Sequence, residues 1–203
     1  MINKKQIQKL LDVYGVPKNI REHASQVAKV TDFIADHLHR QNIPFNKKLG
    51  HAAASLHDLL RICDIYDWPP KNIQASKEDL KIWEHVRKKY KNVHHADAAY
   101  EILLNLGYKK IALIIKKHKF LSLVTPDAPE TLEEKVVYYA DKRVMHNRIV
   151  SLEERFADGE KRHAQAFNDS REEGRIAKKK TFELEKQIMN LAKLKPEEIN
   201  KIP

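Results

Sequence analysis

The chain has 203 residues, 42% of them hydrophobic and 33% charged, which suits one core with an appendage better than two large domains. The formal net charge of +10 favours anionic partners, although lysine tracts on solvated helix faces contribute much of it. Because Cys63 is the only cysteine, an intrachain disulfide and a multi-cysteine zinc site are excluded, and any metal must bind through nitrogen and oxygen atoms.

Helical spacing dominates the apolar pattern, as in Val27, Val30, Ile34 and Leu38, and no segment shows sustained strand-like alternation. With few glycines as well, the sequence predicts an all-α fold, a helical bundle with a C-terminal helical extension. Apolar runs are too short to span a bilayer, so we expect a cytoplasmic protein. The predicted helices lie at about residues 3–14, 19–41, 46–65, 77–90, 93–106, 109–118, 131–158 and 175–193.

The third predicted helix contains the most distinctive feature, the pair His57-Asp58 within a mostly apolar stretch. Neighbouring helix residues point about 100° apart, so a metal ion between their two directions would satisfy both side chains. A His-Asp pair by itself is common, and it needs partners elsewhere in the chain.

Partners occur in the other helices. His23 lies early in the second helix, His95 begins a later one, His118 ends the next, and Asp141 lies within the helix predicted at 131–158. We interpret His85 and His94 as surface residues or as neighbours of the site that do not bind metal. Aromatic residues at helical spacing are usually core residues, which is our interpretation of Trp68, Trp83, Tyr138 and Tyr139.

Beyond about Ser151 the sequence becomes highly charged, with an apolar stripe at Leu184, Ile188 and Leu191. We therefore divide the chain into a domain at 1–155 and a charged helical extension at 156–203. The extension is predicted to be a helical hairpin, and its stripe could pack on the core or form a dimer.

The order of these residues resembles the HD family of metal-dependent phosphohydrolases over roughly residues 19–155. Each histidine alone would more often be a core residue, but their shared order is specific. The resemblance is carried by Arg21-Glu22-His23, His57-Asp58, the segment from His95 to Leu103, His118 and Ala140-Asp141-Lys142.

In the simplest sites of this family, the resemblance implies one metal ion held by His23, His57, Asp58 and Asp141. Members with two metals add two histidines, here His95 and His118, and Asp58 then bridges both ions. We favour the binuclear version. Imidazole and carboxylate ligands suit iron, manganese or zinc, and two such ions would activate water for attack on phosphorus.

The resemblance also suggests substrate contacts. Arg61, where relatives often carry lysine, is assigned with Asp58 to catalysis and also to phosphate binding, with Lys142 and Arg143 as weaker candidates. The predicted activity is cleavage of a phosphate ester or anhydride of a nucleotide or similar small molecule. The segment from Thr131 to Asp141 is similar to that of bacterial dinucleoside tetraphosphate hydrolases.

Two other functions are less favoured. The cyclic dinucleotide phosphodiesterase branch has a further histidine and a Gly-Tyr-Pro motif where this chain has Lys119-Phe120-Leu121 after His118. The alternative from another class is a basic helical module that binds nucleic acid or a protein partner and whose His/Asp cluster is structural.

Overall fold

A computed structural model describes residues 2–65, 68, 70, 73–162 and 171–202 of the chain. These residues form ten α-helices and one two-stranded sheet, so the predicted all-α fold is confirmed. None of their helices is both long and apolar enough to cross a membrane. The helices are α1 (Lys4–Val13), α2 (Lys18–Arg40), α3 (Lys47–Leu56), α4 (Lys77–Lys89), α5 (His95–Asn105), α6 (Lys109–Lys116), α7 (Leu132–Lys142), α8 (Leu152–Arg162), α9 (Arg171–Ala192) and α10 (Pro196–Ile199).

Helix α2 is central to the bundle and packs against α3, α7 and α9. Its predicted apolar face, including Val27, Ile34 and Leu38, is fully buried. The facing part of α3 is a run of small buried residues, which lets the two helix backbones approach closely. Gly50 has the same effect, because a Cβ atom there would lie 2.8 Å from the Phe45 ring.

The continuous helix predicted at 46–65 is wrong. Helix α3 ends at Leu56, and a 3₁₀-helix follows at Arg61–Asp64. Between them, the backbone N–H groups of Leu59 and Arg61 donate to carbonyls three residues back, at Leu56 and Asp58. This tighter winding places residues three apart directly above one another, so Asp58 and Arg61 still share a face.

The single helix predicted at 131–158 is also wrong. Helix α7 ends at Lys142, and a hairpin of β1 (Val144–Met145) and β2 (Arg148–Ile149) separates it from α8. His146 adopts a left-handed backbone conformation in the hairpin turn, with φ of 58°. Histidine tolerates this conformation better than most residues other than glycine. The sequence does not predict the turn, because it lacks the usual Asn-Gly or Asp-Gly signal.

The C-terminal extension folds back on the core. Helix α9 packs on α2, on α7 and on a 3₁₀-helix at Phe120–Val124. Leu184 and Ile188 are buried as predicted, whereas Leu191 is 42% exposed and does not belong to the buried stripe. The connection expected at the tip of the helical hairpin, residues 163–170, lies outside the described residues, and the domain boundary near residue 155 stays a prediction.

Arg143 connects this extension to the core. Its side chain is 1% exposed, and every N–H donor of its guanidinium forms a hydrogen bond. The acceptors are the Tyr139 hydroxyl, the Glu185 carboxylate, the carbonyls of Val150 and Pro196, and the Asn200 side chain. The interpretation of Tyr138, Tyr139 and Trp83 as buried core residues is confirmed.

We expect Arg143→Leu to lower the free energy of unfolding by about 3–5 kcal/mol, because it leaves the Glu185 carboxylate without its charged partner. The double variant Arg143→Leu/Glu185→Leu should lose less than the sum of the two single changes. Urea denaturation measures both effects. As a control, Arg175→Leu breaks an exposed pair with Glu172 and should change stability by less than about 1 kcal/mol. Additive losses in the double variant would contradict the assignment.

Candidate metal centre

The structure brings all six predicted ligand residues together from separate parts of the bundle. His23 comes from α2, Asp141 from α7, and His95 is the first residue of α5. His57 and Asp58 lie in the turn after α3, and His118 follows α6. His23 and Asp58 are partly exposed, and the other four are buried.

The two oxygens of the Asp58 carboxylate face different histidines. Oδ1 lies 3.1 Å from Nε2 of His95 and 3.9 Å from Nε2 of His118. Oδ2 lies 3.6 Å from Nε2 of His57 and 4.0 Å from Nε2 of His23. The carboxylate therefore stands between two pairs of imidazoles.

Asp141 completes the group on the side of His23 and His57. Its Oδ1 lies 3.1 Å from Nε2 of His23 and 3.5 Å from Nε2 of His57. Two ligand atoms on one tetrahedral zinc ion, each at the usual metal–nitrogen distance, would be about 3.4 Å apart. The spacing of the side chains suits a shared ion.

All four imidazoles have Nδ1 bonded to an oxygen that can only accept, so Nδ1 carries the proton in each ring. In the neutral form of each ring, Nε2 then presents its lone pair toward the two carboxylates. The acceptors are the His146 carbonyl for His23, the Ala54 carbonyl for His57, the Ile115 carbonyl for His118 and the Asp64 carboxylate for His95, at distances of 2.8, 2.8, 2.6 and 2.7 Å.

Nε2 of His57 is the clearest indication of an ion. It is fully buried and has no hydrogen-bond partner. Nε2 of His95 and Nε2 of His118 are 3.2 Å apart, and with both protons on Nδ1 their lone pairs repel unless a cation lies between them. The residues present therefore fit a metal ion, with nitrogen and oxygen donors typical of iron, manganese or zinc.

The profile of the HD domain family matches residues 20–145, which is more than half of the chain. The chain belongs to the HD family. No curated protein and no solved structure matches it significantly. The family match includes all six of the side chains described above, so the order predicted from sequence and the arrangement in space agree.

The charges in this HD centre depend strongly on one another. Burial lowers the pKa of His57, but the Asp58 and Asp141 carboxylates outweigh burial and raise that pKa to about 9. Burial, together with positive charge on His57 and His95, holds the pKa of His118 well below its usual value. The two carboxylates have lowered pKa values, because their cationic neighbours outweigh burial. The cluster therefore retains a proton when no metal is bound.

Sequence reasoning missed Asp64. Its carboxylate accepts from both the backbone N–H and the Nδ1–H of His95, and it also pairs with the Arg61 guanidinium. Burial would raise the pKa of Asp64, but the bonds from His95 outweigh it and lower the pKa to about 2. The available signal was its position three residues after Arg61, on the same face of the 3₁₀-helix.

The predicted phosphate-binding residues have different environments. Arg61 is 38% exposed at the side chain and lines a cavity beside the centre. Lys142 is buried, and its ammonium donates to the Asp141 carboxylate and to the His118 carbonyl. Arg143 uses every donor in contacts within the protein and has none left for a phosphate, contrary to the prediction.

The cavity has a volume of about 410 Å³ and opens directly onto His23 and Asp58. Most of its remaining wall comes from the start of α2, the hairpin and α8. Of the nearby histidines outside the centre, His85 is exposed, and His94 caps α5 by accepting from the Ala96 N–H. Neither residue lines this cavity.

The raised pKa of His57 predicts a pH dependence of stability for the metal-free protein. A group whose folded-state pKa rises from 6.5 to about 9 stabilises the fold below pH 6.5, and this contribution is lost as the pH rises through 9. The thermal midpoint of chelator-treated protein should therefore fall between pH 6.5 and 9. In His57→Gln this part of the decrease should disappear, whereas His85→Ala should behave like the parent. An unchanged slope in His57→Gln would show that another group titrates.

Asp64→Asn should weaken metal binding about ten- to hundred-fold, because the amide no longer holds His95 through a charged acceptor. Competition with a chromogenic chelator measures the affinity. Asp36→Asn, which removes an exposed pair with Lys47, is the matched control and should bind metal like the parent. Equal affinity in both variants would exclude a role for Asp64 in positioning His95.

Proposed function

We propose that the protein is a metal-dependent phosphohydrolase that uses water to cleave a phosphate ester or anhydride of a nucleotide or related small molecule. The observation that carries the proposal is the convergence of four Nε2 lone pairs on two carboxylates beside an open cavity. Family membership supports the general class, a metal-dependent hydrolase.

We propose a binuclear centre. Support comes from Asp58, whose two oxygens face different pairs of histidines, as expected of a bridging ligand. His23, His57 and Asp141 would hold one ion, and His95 and His118 the other. Bound iron, manganese or zinc would supply Lewis acidity, which activates water and offsets charge on the phosphate.

The chain's own side chains then position the metal ligands and neutralise charge on the phosphate. Asp64 orients His95, and Lys142 holds Asp141 through a buried ion pair, which makes it a positioning residue in place of the substrate contact predicted for it. Arg61 lies at the cavity wall, where its guanidinium can approach a phosphate oxygen while it remains paired with Asp64. Water would enter the site through the same cavity, which is lined by His23 and Asp58.

For the substrate, we propose a nucleotide, with a dinucleoside tetraphosphate as the first compound to assay. The excess positive charge of the chain suits such an anion. A cytoplasmic location and the absence of a membrane partner are further parts of this proposal.

The test compares Asp58→Ala with His85→Ala, a control that removes an exposed imidazole from α4. The parent should contain one to two equivalents of transition metal and hydrolyse bis-p-nitrophenyl phosphate or p-nitrophenyl phosphate. Asp58→Ala should lose both properties, and His85→Ala should keep both. Metal analysis of the purified proteins and a substrate panel give the readout. A parent protein that is metal-free and inactive but binds RNA tightly would favour the binding module instead.

A further inference from the structure

Arg155 lies in α8, beyond the residues that match the HD family, yet its side chain lines the same cavity as His23, Asp58 and Arg61. The family match does not say which residues hold the substrate, and a role for this arginine in holding it rests on the proposed function.

Arg155 differs from the other arginines that are buried or partly buried. Its Nε is fully buried and has no hydrogen-bond partner, and no carboxylate of the described residues forms an ion pair with its guanidinium. The other four bind acceptors within the protein: Arg21 binds Asp12 and two carbonyls, Arg61 binds Asp64, Arg87 binds the carbonyls of Ile62 and Ile65, and Arg143 binds the acceptors described above.

The backbone at Arg155 is held firmly. Leu152 and Phe156, on either side of it in α8, are 1% and 7% exposed. The start of the helix is closed by reciprocal bonds, from the Ser151 N–H to the Glu154 carboxylate and from the Glu154 N–H to the Ser151 hydroxyl. A fixed helix therefore presents to the cavity a guanidinium whose Nε has no partner among the described residues.

A buried donor without a partner is unfavourable, and a planar guanidinium matches the oxygens of a phosphoryl group in a two-pronged contact. Arg61 is largely neutralised by Asp64, whereas Arg155 retains its full charge for a ligand. Glu22 also lines the cavity, and its carboxylate repels an anion. The ligand must therefore carry enough negative charge for its attraction to the guanidinium to exceed this repulsion.

We propose that Arg155 is a substrate-binding residue that grips a phosphoryl group of the substrate in this cavity. The phosphoryl oxygens satisfy the donors of Arg155 while the reacting phosphorus lies near Asp58. Recognition of the substrate is thus supplied in part by α8, outside the family domain, and a chain with the same metal ligands but a different helix here would select another compound.

The experiment compares Arg155→Gln and Arg155→Lys in the full chain, with Arg148→Gln as the matched control. Arg148 is exposed in β2 and does not line the cavity. Binding of inorganic phosphate and of pyrophosphate to chelator-treated protein is measured by calorimetry, and KM and kcat are measured on the metal-loaded protein with the best substrate of the panel. Thermal midpoints verify that each variant is folded.

Arg155→Gln should weaken anion binding and raise KM by about ten- to hundred-fold, with metal content unchanged and kcat affected much less. Arg155→Lys should recover part of the affinity, and Arg148→Gln should match the parent. Parent-like KM and anion binding in Arg155→Gln, or a parent that binds neither anion, would overturn the inference.

The two proposals fail in different ways. Loss of anion binding in Arg155→Gln, in a protein without metal or hydrolysis, supports the anion site and contradicts the hydrolase. Hydrolysis that depends on Asp58 but not on Arg155 contradicts only the inference drawn here.

Discussion

Two carboxylates and four imidazole lone pairs crowd into one mostly buried volume, and this concentration of electron-rich atoms is the constraint that the rest of the structure has to satisfy. Such a group is unstable in a protein interior unless positive charge lies among its members. Without metal, a proton on His57 meets part of this need. A metal ion meets it more fully, because it can replace that proton and bind several of the inward-pointing Nε2 atoms at once.

The helices around the centre hold that geometry with bonds on the far side of each ring. Backbone carbonyls orient His23, His57 and His118, and a carboxylate orients His95. The His146 carbonyl reaches His23 from a hairpin turn in a left-handed conformation. The hairpin is therefore part of the candidate metal centre, although it contributes none of the six candidate ligands.

The C-terminal extension supports the same centre from the opposite side of α7. Three consecutive residues at the end of α7 make different contacts. Asp141 lies against His23 in the ligand cluster, Lys142 donates to the His118 carbonyl, and Arg143 donates to the Pro196 carbonyl in the extension. One helix end thus carries a candidate ligand, its ion-pair partner and the arginine that contacts α9 and the Pro196–Asn200 segment. Just before the extension begins, α8 contributes Arg155 to the wall of the cavity.

The helical class and the set of metal-ligand candidates could be predicted from the sequence. Apolar residues at helical spacing, and the order of the His and Asp residues, can both be seen along the chain without knowledge of the fold. The sequence did not determine where α3 and α7 end, since those ends depend on 3₁₀ hydrogen bonds and on the contacts of Arg143 with Val150. It made Arg143 a candidate for phosphate binding and did not single out Arg155. The environments of both arginines are tertiary: the partners that satisfy Arg143 lie up to 57 residues away along the chain, and the cavity that Arg155 lines is formed by segments from both ends of the domain.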